Sequence, residues 1–149
     1  LIRLSRMRLL EELYDEAQGL GIEVKQEIIP IPHMDATYIS TGCGELIVLN
    51  NDGTDVDRTC WLAEELGHHM TGSDLALHYN TIDDWKAEAR ARSWAHKRLL
   101  SPDAIRTAAQ NTDDIYEIAE ALDVNVEFLQ ESIDDFQSKG IWSLMYDQA

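Results

Sequence analysis

The 149-residue sequence is poor in the features that cross-link a chain or anchor it in a membrane. It has two cysteines, Cys43 and Cys60, which are too few for a disulfide framework. No apolar run approaches the roughly 18–20 residues needed to cross a bilayer. The N-terminal segment also lacks the continuous apolar stretch of a signal peptide. We therefore expect a protein of the reducing cytoplasm that does not bind membranes.

Basic residues are scarce as well, with 12 Lys and Arg against 28 Asp and Glu and a net charge of −16. Such a charge repels phosphate backbones and favours basic partners, although it also simply confers solubility. Residues 101–149 contain only Arg106 and Lys139 against eleven acidic residues. A helix-turn-helix that reads DNA through residues 115–133 is therefore not expected, because it could not neutralise phosphates.

Glycine and proline are sparse and separate the predicted elements. The hydrophobic periodicity predicts helices over 5–20, 55–70, 82–100, 103–109, 113–122 and 125–138, and strands over 22–29, 36–40 and 45–50. The last two strands flank the connection at 41–44 and form a β-hairpin. We predict an α+β fold with a small antiparallel sheet, organised as one domain over 1–149. Its core covers about 10–102, and a C-terminal helical segment covers 103–138.

The helix over 55–70 carries the candidate chemistry. At about 100° per residue, Glu64, Glu65 and His68 fall on one side, opposite the predicted core residues Val56, Leu62, Ala63, Leu66 and Met70. Glu64 and His68 are four residues apart and lie one turn above each other, with Glu65 beside them. This is how a zinc-peptidase helix presents two ligands and a catalytic carboxylate, except that Glu64 stands where such helices have a first His.

Three alternatives remain open from the residues of this helix alone. His69 lies four residues after Glu65 and is a rival ligand, although it falls at the edge of the apolar side. Cys60 lies one turn before Glu64 and could reach a metal, but a free Cys is more often a small core residue. An E-x-x-x-H pair is also common on a plain solvated helix face.

Glu88 is a candidate on the next helix. It falls among Ala91, Ala95 and Leu99 on the apolar side of residues 82–100. A carboxylate directed into a core is costly unless it is paired or binds a metal. Arg92, one turn further, offers the simpler alternative of a salt bridge.

These segments together resemble the ImmA/IrrE family of metallopeptidases, known from phages, mobile elements and bacterial stress regulators. The resemblance covers about residues 10–135 in order. It rests on GELIVLNNDGTDVDRTCWLAEELGHHMTG, on EARARSWAHKRLLSP (88–102) and on IYEIAEALDVNVEFLQESI (115–133). The family includes a phage-type variant that has E-E-L-G-H in place of H-E-L-G-H.

The resemblance implies a zincin-like helical domain and gives each site residue a role. His68 and Glu88 match metal ligands, Glu64 occupies the position of the first ligand, and Glu65 matches the general base. The implied cofactor is Zn²⁺, or Mn²⁺ because of the additional oxygen ligand. The implied activity is cleavage of a helix-turn-helix transcriptional repressor. The alternative is an antirepressor that binds the repressor's basic face without cutting it.

Replacing the first His by Glu64 has an electrostatic consequence. Two carboxylates and one imidazole cancel both charges of a divalent ion, whereas two imidazoles and one carboxylate leave it positive. We expect a weaker Lewis acid, and hence weaker intrinsic hydrolysis than in a two-His relative. The residues do not single out a donor for the oxyanion; the candidates are His69, His78, Tyr79 and His96.

Overall fold

The computed structural model describes residues 2–72 and 82–141, with side chains from residue 8 onwards. Within these ranges the chain forms an α+β fold of six helices and three strands, which confirms the predicted fold class. The elements are α1 (Ile2–Gly19), β1 (Ile22–Glu27), β2 (Ala36–Thr41), β3 (Gly44–Asn50), α2 (Asp55–Met70), α3 (Ile82–Leu99), α4 (Pro102–Ala108), α5 (Ile115–Leu122) and α6 (Val126–Ser138). None of these helices is both long and apolar enough to span a membrane.

The chain divides into two compact units, Leu1–Ala95 and His96–Ala149. The first unit holds the sheet, α1, α2 and most of α3. The second holds the end of α3 and the three C-terminal helices. Organisation as a single domain over the whole chain stays a prediction.

The sheet of the first unit has the strand order β1-β3-β2. β2 and β3 pair antiparallel, with Thr41 opposite Gly44, so the predicted hairpin is confirmed. β1, however, pairs with β3 in parallel, and the sheet is therefore mixed rather than antiparallel throughout. The sheet is mixed because β3 lies between β1 and β2, so that β1 pairs with β3 and not with β2.

α1 begins at Ile2 and packs against β1 and α2. It ends as predicted before Gly21, whose φ of +76° is a backbone conformation that glycine adopts without strain. Leu10, Leu13 and Ala17 are buried on its inner face. Leu20 is 42% exposed because it follows the last helical residue.

α2 begins where the sequence predicts, with Thr54 as its N-cap. Thr54 and Asp57 form a capping box in which each side chain accepts a hydrogen bond from the other residue's backbone N–H. Gly53 precedes the cap, and a methyl group there would overlap the ring of Trp61. The turn and the first part of the helix are thus fixed locally by adjacent residues.

The inner face of α2 confirms most of the predicted core positions. Leu62, Ala63 and Leu66 are fully buried against α1 and the sheet. Met70 is 49% exposed, so its predicted core position is wrong; it lies in the last turn, beyond the packed part of the helix. Cys60 is also buried, as expected of a small core residue.

Gly67 sets the approach of α3 to α2. A methyl group at Gly67 would overlap the backbone carbonyl of Ala91, so only glycine leaves room for the α3 backbone at this point. Ala91 and Ala95 on the facing side of α3 are themselves small and fully buried. This close approach brings the neighbouring side chains His68 and Glu88 to one place.

The second unit is built from α4, α5 and α6, each with a polar N-cap: Ser101, Asp114 and Asn125 respectively. Its core contains Phe128, Leu129 and Phe136 from α6, together with Ala119 and Ile105. The predicted bounds of these three helices agree with the structure to within about two residues at each end.

Gly67→Ala should lower the free energy of unfolding by about 1–3 kcal/mol, the usual cost of overfilling a packed contact. The added methyl group forces α3 away from α2. Urea unfolding monitored by circular dichroism measures the change. Gly42→Ala is the control, because an added Cβ meets nothing within 4 Å there, and its effect should stay within about 0.5 kcal/mol. Equal stability of the two variants would contradict the role given to Gly67.

Candidate metal centre

His68 and Glu88 form the centre of the candidate site. Nε2 of His68 lies 3.0 Å from Oε2 of Glu88, and the two side chains are 16% and 39% exposed. The other carboxylate oxygen of Glu88, Oε1, accepts a hydrogen bond of 3.2 Å from Nε of Arg92. The sequence offered metal ligation and a bridge to Arg92 as alternatives for Glu88. The carboxylate in fact contacts both His68 and Arg92.

Glu65 is the most strongly perturbed acid of the site. Burial raises the pKa of its carboxyl group, and the negative charge of Glu88 adds to this, while His68 acts in the opposite direction. The result is a pKa of about 7, compared with an ordinary value of 4.5. Glu65 therefore exchanges its proton near neutral pH, which is the property a general base requires.

The pKa values of His68 and Glu88 are shifted in the directions that favour an ion pair. Burial pulls the pKa of His68 down, but the hydrogen bond to Glu88 and the charges of nearby carboxylates, Glu64 among them, outweigh it and the pKa is raised. The hydrogen bond from His68 lowers the pKa of Glu88, and the charges of His68 and Arg92 add to this against the effect of burial. Glu64, Glu65, His68 and Glu88 thus form one electrostatically coupled cluster.

His69 faces the sheet instead of this cluster. Its Nδ1 lies 3.0 Å from Oε2 of Glu45 on β3 and 3.2 Å from the hydroxyl of Tyr38 on β2. Neither partner was identified from the sequence. The alternation of β3 could have indicated Glu45, because it lies on the same face as the buried residues Ile47 and Leu49, where a carboxylate needs a partner.

Three candidates for an oxyanion donor remain: His78, Tyr79 and His96. His96 belongs to the second unit, where it is buried with Nδ1 2.9 Å from Oδ2 of Asp135 and its ring against Phe128. His78 and Tyr79 lie outside the described residues.

A family model described as Peptidase_M78, the IrrE N-terminal-like domain, matches residues 17–134. The chain belongs to this family. The match covers both α2 and α3, and therefore all four residues of the cluster. Searches of curated proteins and of solved structures returned no significant match. The resemblance found in the sequence is thereby confirmed, and the family is one of metallopeptidases.

The cluster suits a divalent ion in its chemistry. It offers one imidazole and carboxylates, the donors that Zn²⁺ and Mn²⁺ accept. Two ligands of a tetrahedral zinc ion are about 3.3 Å apart, close to the 3.0 Å between His68 and Glu88. Across residues 2–72 and 82–141, however, no three His, Cys, Asp or Glu side chains already stand in a metal-holding group. Glu64, His68 and Glu88 are therefore not assembled as a three-ligand set, and ligation by Glu64 stays a prediction.

Glu65→Gln should change how the stability of the metal-free protein depends on pH. Because folding raises the pKa of Glu65 to about 7 from 4.5, the folded state binds this proton more tightly. The contribution of Glu65 to the free energy of unfolding must then fall as pH rises from 4.5 to 7. Glu65→Gln has no carboxyl group to lose this proton. Its free energy of unfolding relative to that of the parent should therefore increase between pH 5 and pH 8.

Urea unfolding at both pH values in the presence of a chelator measures this difference. Glu11→Gln is the matched control, because it removes a carboxylate from an exposed position of α1. A stability difference between Glu65→Gln and the parent that does not change with pH would show that Glu65 is not perturbed by folding.

Proposed function

We propose that this protein is a zinc-dependent endopeptidase that cleaves a helix-turn-helix transcriptional repressor and so relieves repression. The observation that supports it best is the meeting of His68 and Glu88 beside Glu65, a carboxyl group with a pKa of about 7. Membership of the metallopeptidase family supports the reaction class. The repressor as substrate is what the family resemblance implies.

In this proposal Glu64, His68 and Glu88 hold the metal ion. When bound, a divalent ion supplies Lewis-acid catalysis by polarising the scissile carbonyl and making water easier to deprotonate. Glu65, the buried carboxyl group beside His68, would accept the proton of the attacking water and pass it to the leaving amine. The carboxylate of Glu64 in place of a second imidazole is expected to keep hydrolysis slow until the partner's binding energy assists it.

The cellular setting of the proposal is the cytoplasm, where transcriptional repressors act. Neither Cys43 nor Cys60 forms a disulfide; Cys43 is exposed and Cys60 is buried. Free thiols are usual in a reducing compartment.

The charge of the chain favours a second candidate function. A net charge of −16 attracts the basic DNA-reading face of a repressor, and binding alone would displace DNA. In that case the protein is an antirepressor, and the chemistry of Glu65 is not used. The two candidates make opposite predictions for one substitution.

Glu65→Gln should abolish cleavage and derepression if the protein is a peptidase. Loss of a general base typically costs about 100- to 10,000-fold in rate. Repressor cleavage on gels and a repressor-controlled reporter measure the two effects, with Glu11→Gln as the control that removes an exposed carboxylate. Full derepression by Glu65→Gln without cleavage would show that the protein acts as an antirepressor and not as a peptidase.

His68→Asn should abolish metal binding, because an amide replaces the imidazole ligand. Elemental analysis of the purified chain should find about one zinc ion in the parent and none in this variant. His33→Asn is the matched control: it removes an exposed histidine, and asparagine tolerates its φ of +62°. A parent without stoichiometric metal, or an equal loss in both variants, would exclude the proposed site.

A further inference from the structure

The carboxylate of Glu88 is held at both of its oxygens. Oε2 faces Nε2 of His68 at 3.0 Å, and Oε1 accepts the hydrogen bond from Nε of Arg92 at 3.2 Å. Arg92 lies one turn after Glu88 on α3, so the helix itself keeps the guanidinium group beside this carboxylate. The two contacts use different oxygens and do not compete.

We propose that Arg92 is a positioning residue that orients Glu88 as a metal ligand through Oε2 alone. The proposal rests on the proposed metal site. If His68 and Glu88 held a metal ion, their direct contact would be lost, whereas the bond from Arg92 to Oε1 would remain available. That bond would keep Oε1 occupied and leave Oε2 as the oxygen for ligation. Hydrogen-bonding partners of this kind orient ligands in metal sites generally.

Arg92 also balances charge at a site that is rich in carboxylates. Glu64, Glu65 and Glu88 form one cluster with the single imidazole of His68. A histidine in place of Glu64 would carry no negative charge, so this site has one more negative ligand than a site with two histidines. The guanidinium group of Arg92 places a positive charge beside Glu88, the ligand on α3. This charge offsets the repulsion between the ligand carboxylates of Glu64 and Glu88.

Arg92 contributes little to stability through its ion pair with Glu88. Its side chain is 46% exposed, and exposed ion pairs of this kind add about 0–1 kcal/mol to stability. Arg92→Ala should therefore fold normally. Arg90 provides a matched control, because it is an exposed arginine on the same helix and its removal changes the net charge equally.

The test measures zinc affinity of the full chain by competition with a chromogenic chelator. Arg92→Ala should weaken zinc binding about 10- to 100-fold, the usual effect of removing the partner that orients a ligand. Arg90→Ala should leave the dissociation constant within about twofold, as expected for an exposed position. Arg92→Lys should recover most of the affinity, because a single donor suffices for the one bond to Oε1.

Cobalt substitution gives a second readout that a structural role would not affect. Loss of Arg92 frees Oε1 to bind the ion as well, which raises the coordination number. Visible absorption of Co²⁺ weakens as the coordination leaves tetrahedral symmetry, so the Arg92→Ala spectrum should be weaker than that of the parent. The Arg90→Ala spectrum should match the parent.

The outcomes separate this inference from the proposed function. If the parent binds zinc and Arg92→Ala binds it as tightly as Arg90→Ala, or more tightly, Arg92 does not position Glu88. The proposed metal site would remain valid in that case. A parent that binds no zinc would overturn both.

Discussion

The close approach of α2 and α3 at Gly67 is the constraint on which the candidate site depends. His68 follows Gly67 directly, and Glu88 lies about one turn before Ala91, the residue whose carbonyl occupies the space of the missing side chain. A larger residue at position 67 would separate the two backbones, and a contact of 3.0 Å between an imidazole and a carboxylate would not survive that separation. The glycine that looks like a helix interruption in the sequence is therefore what allows two helices to share one site.

Packing at this contact also accounts for the electrostatics of the cluster. Side chains that emerge beside a tight helix contact are partly withdrawn from water, and burial alone raises the pKa of a carboxyl group and lowers that of an imidazole. Glu65 shows the first effect, with a pKa of about 7. The pKa of His68 is nevertheless raised, because Glu88 accepts a hydrogen bond from it and the charges of nearby carboxylates favour the protonated ring. The same contact thus yields a carboxyl group that exchanges a proton near neutrality and an imidazole paired with a carboxylate.

The sequence alone was sufficient for the features that arise within single elements. The helix over α2 and the hairpin of β2 and β3 follow from residues close in the chain, and both were predicted. The parallel pairing of β1 with β3 was missed, because periodicity shows that a segment is a strand but not which neighbour it selects. The partners of His69 were missed for the same reason, since Tyr38 and Glu45 lie on other elements. The pairing of Glu88 with His68 was predicted only through the family resemblance, because α3 approaches α2 through packing that no local pattern encodes.

The two adjacent histidines illustrate how one helix serves two surroundings. Successive residues of a helix point about 100° apart, so His68 and His69 cannot both face α3. His68 meets Glu88 of α3, whereas His69 meets Glu45 of the sheet. Each imidazole has its own carboxylate, and the helix is therefore fixed against rotation from both sides. A rotation that brought His69 towards Glu88 would break both pairs and expose the buried face of Leu62, Ala63 and Leu66. The packing of the first unit's core thus determines that His68, and not His69, faces the carboxylates of the candidate metal centre.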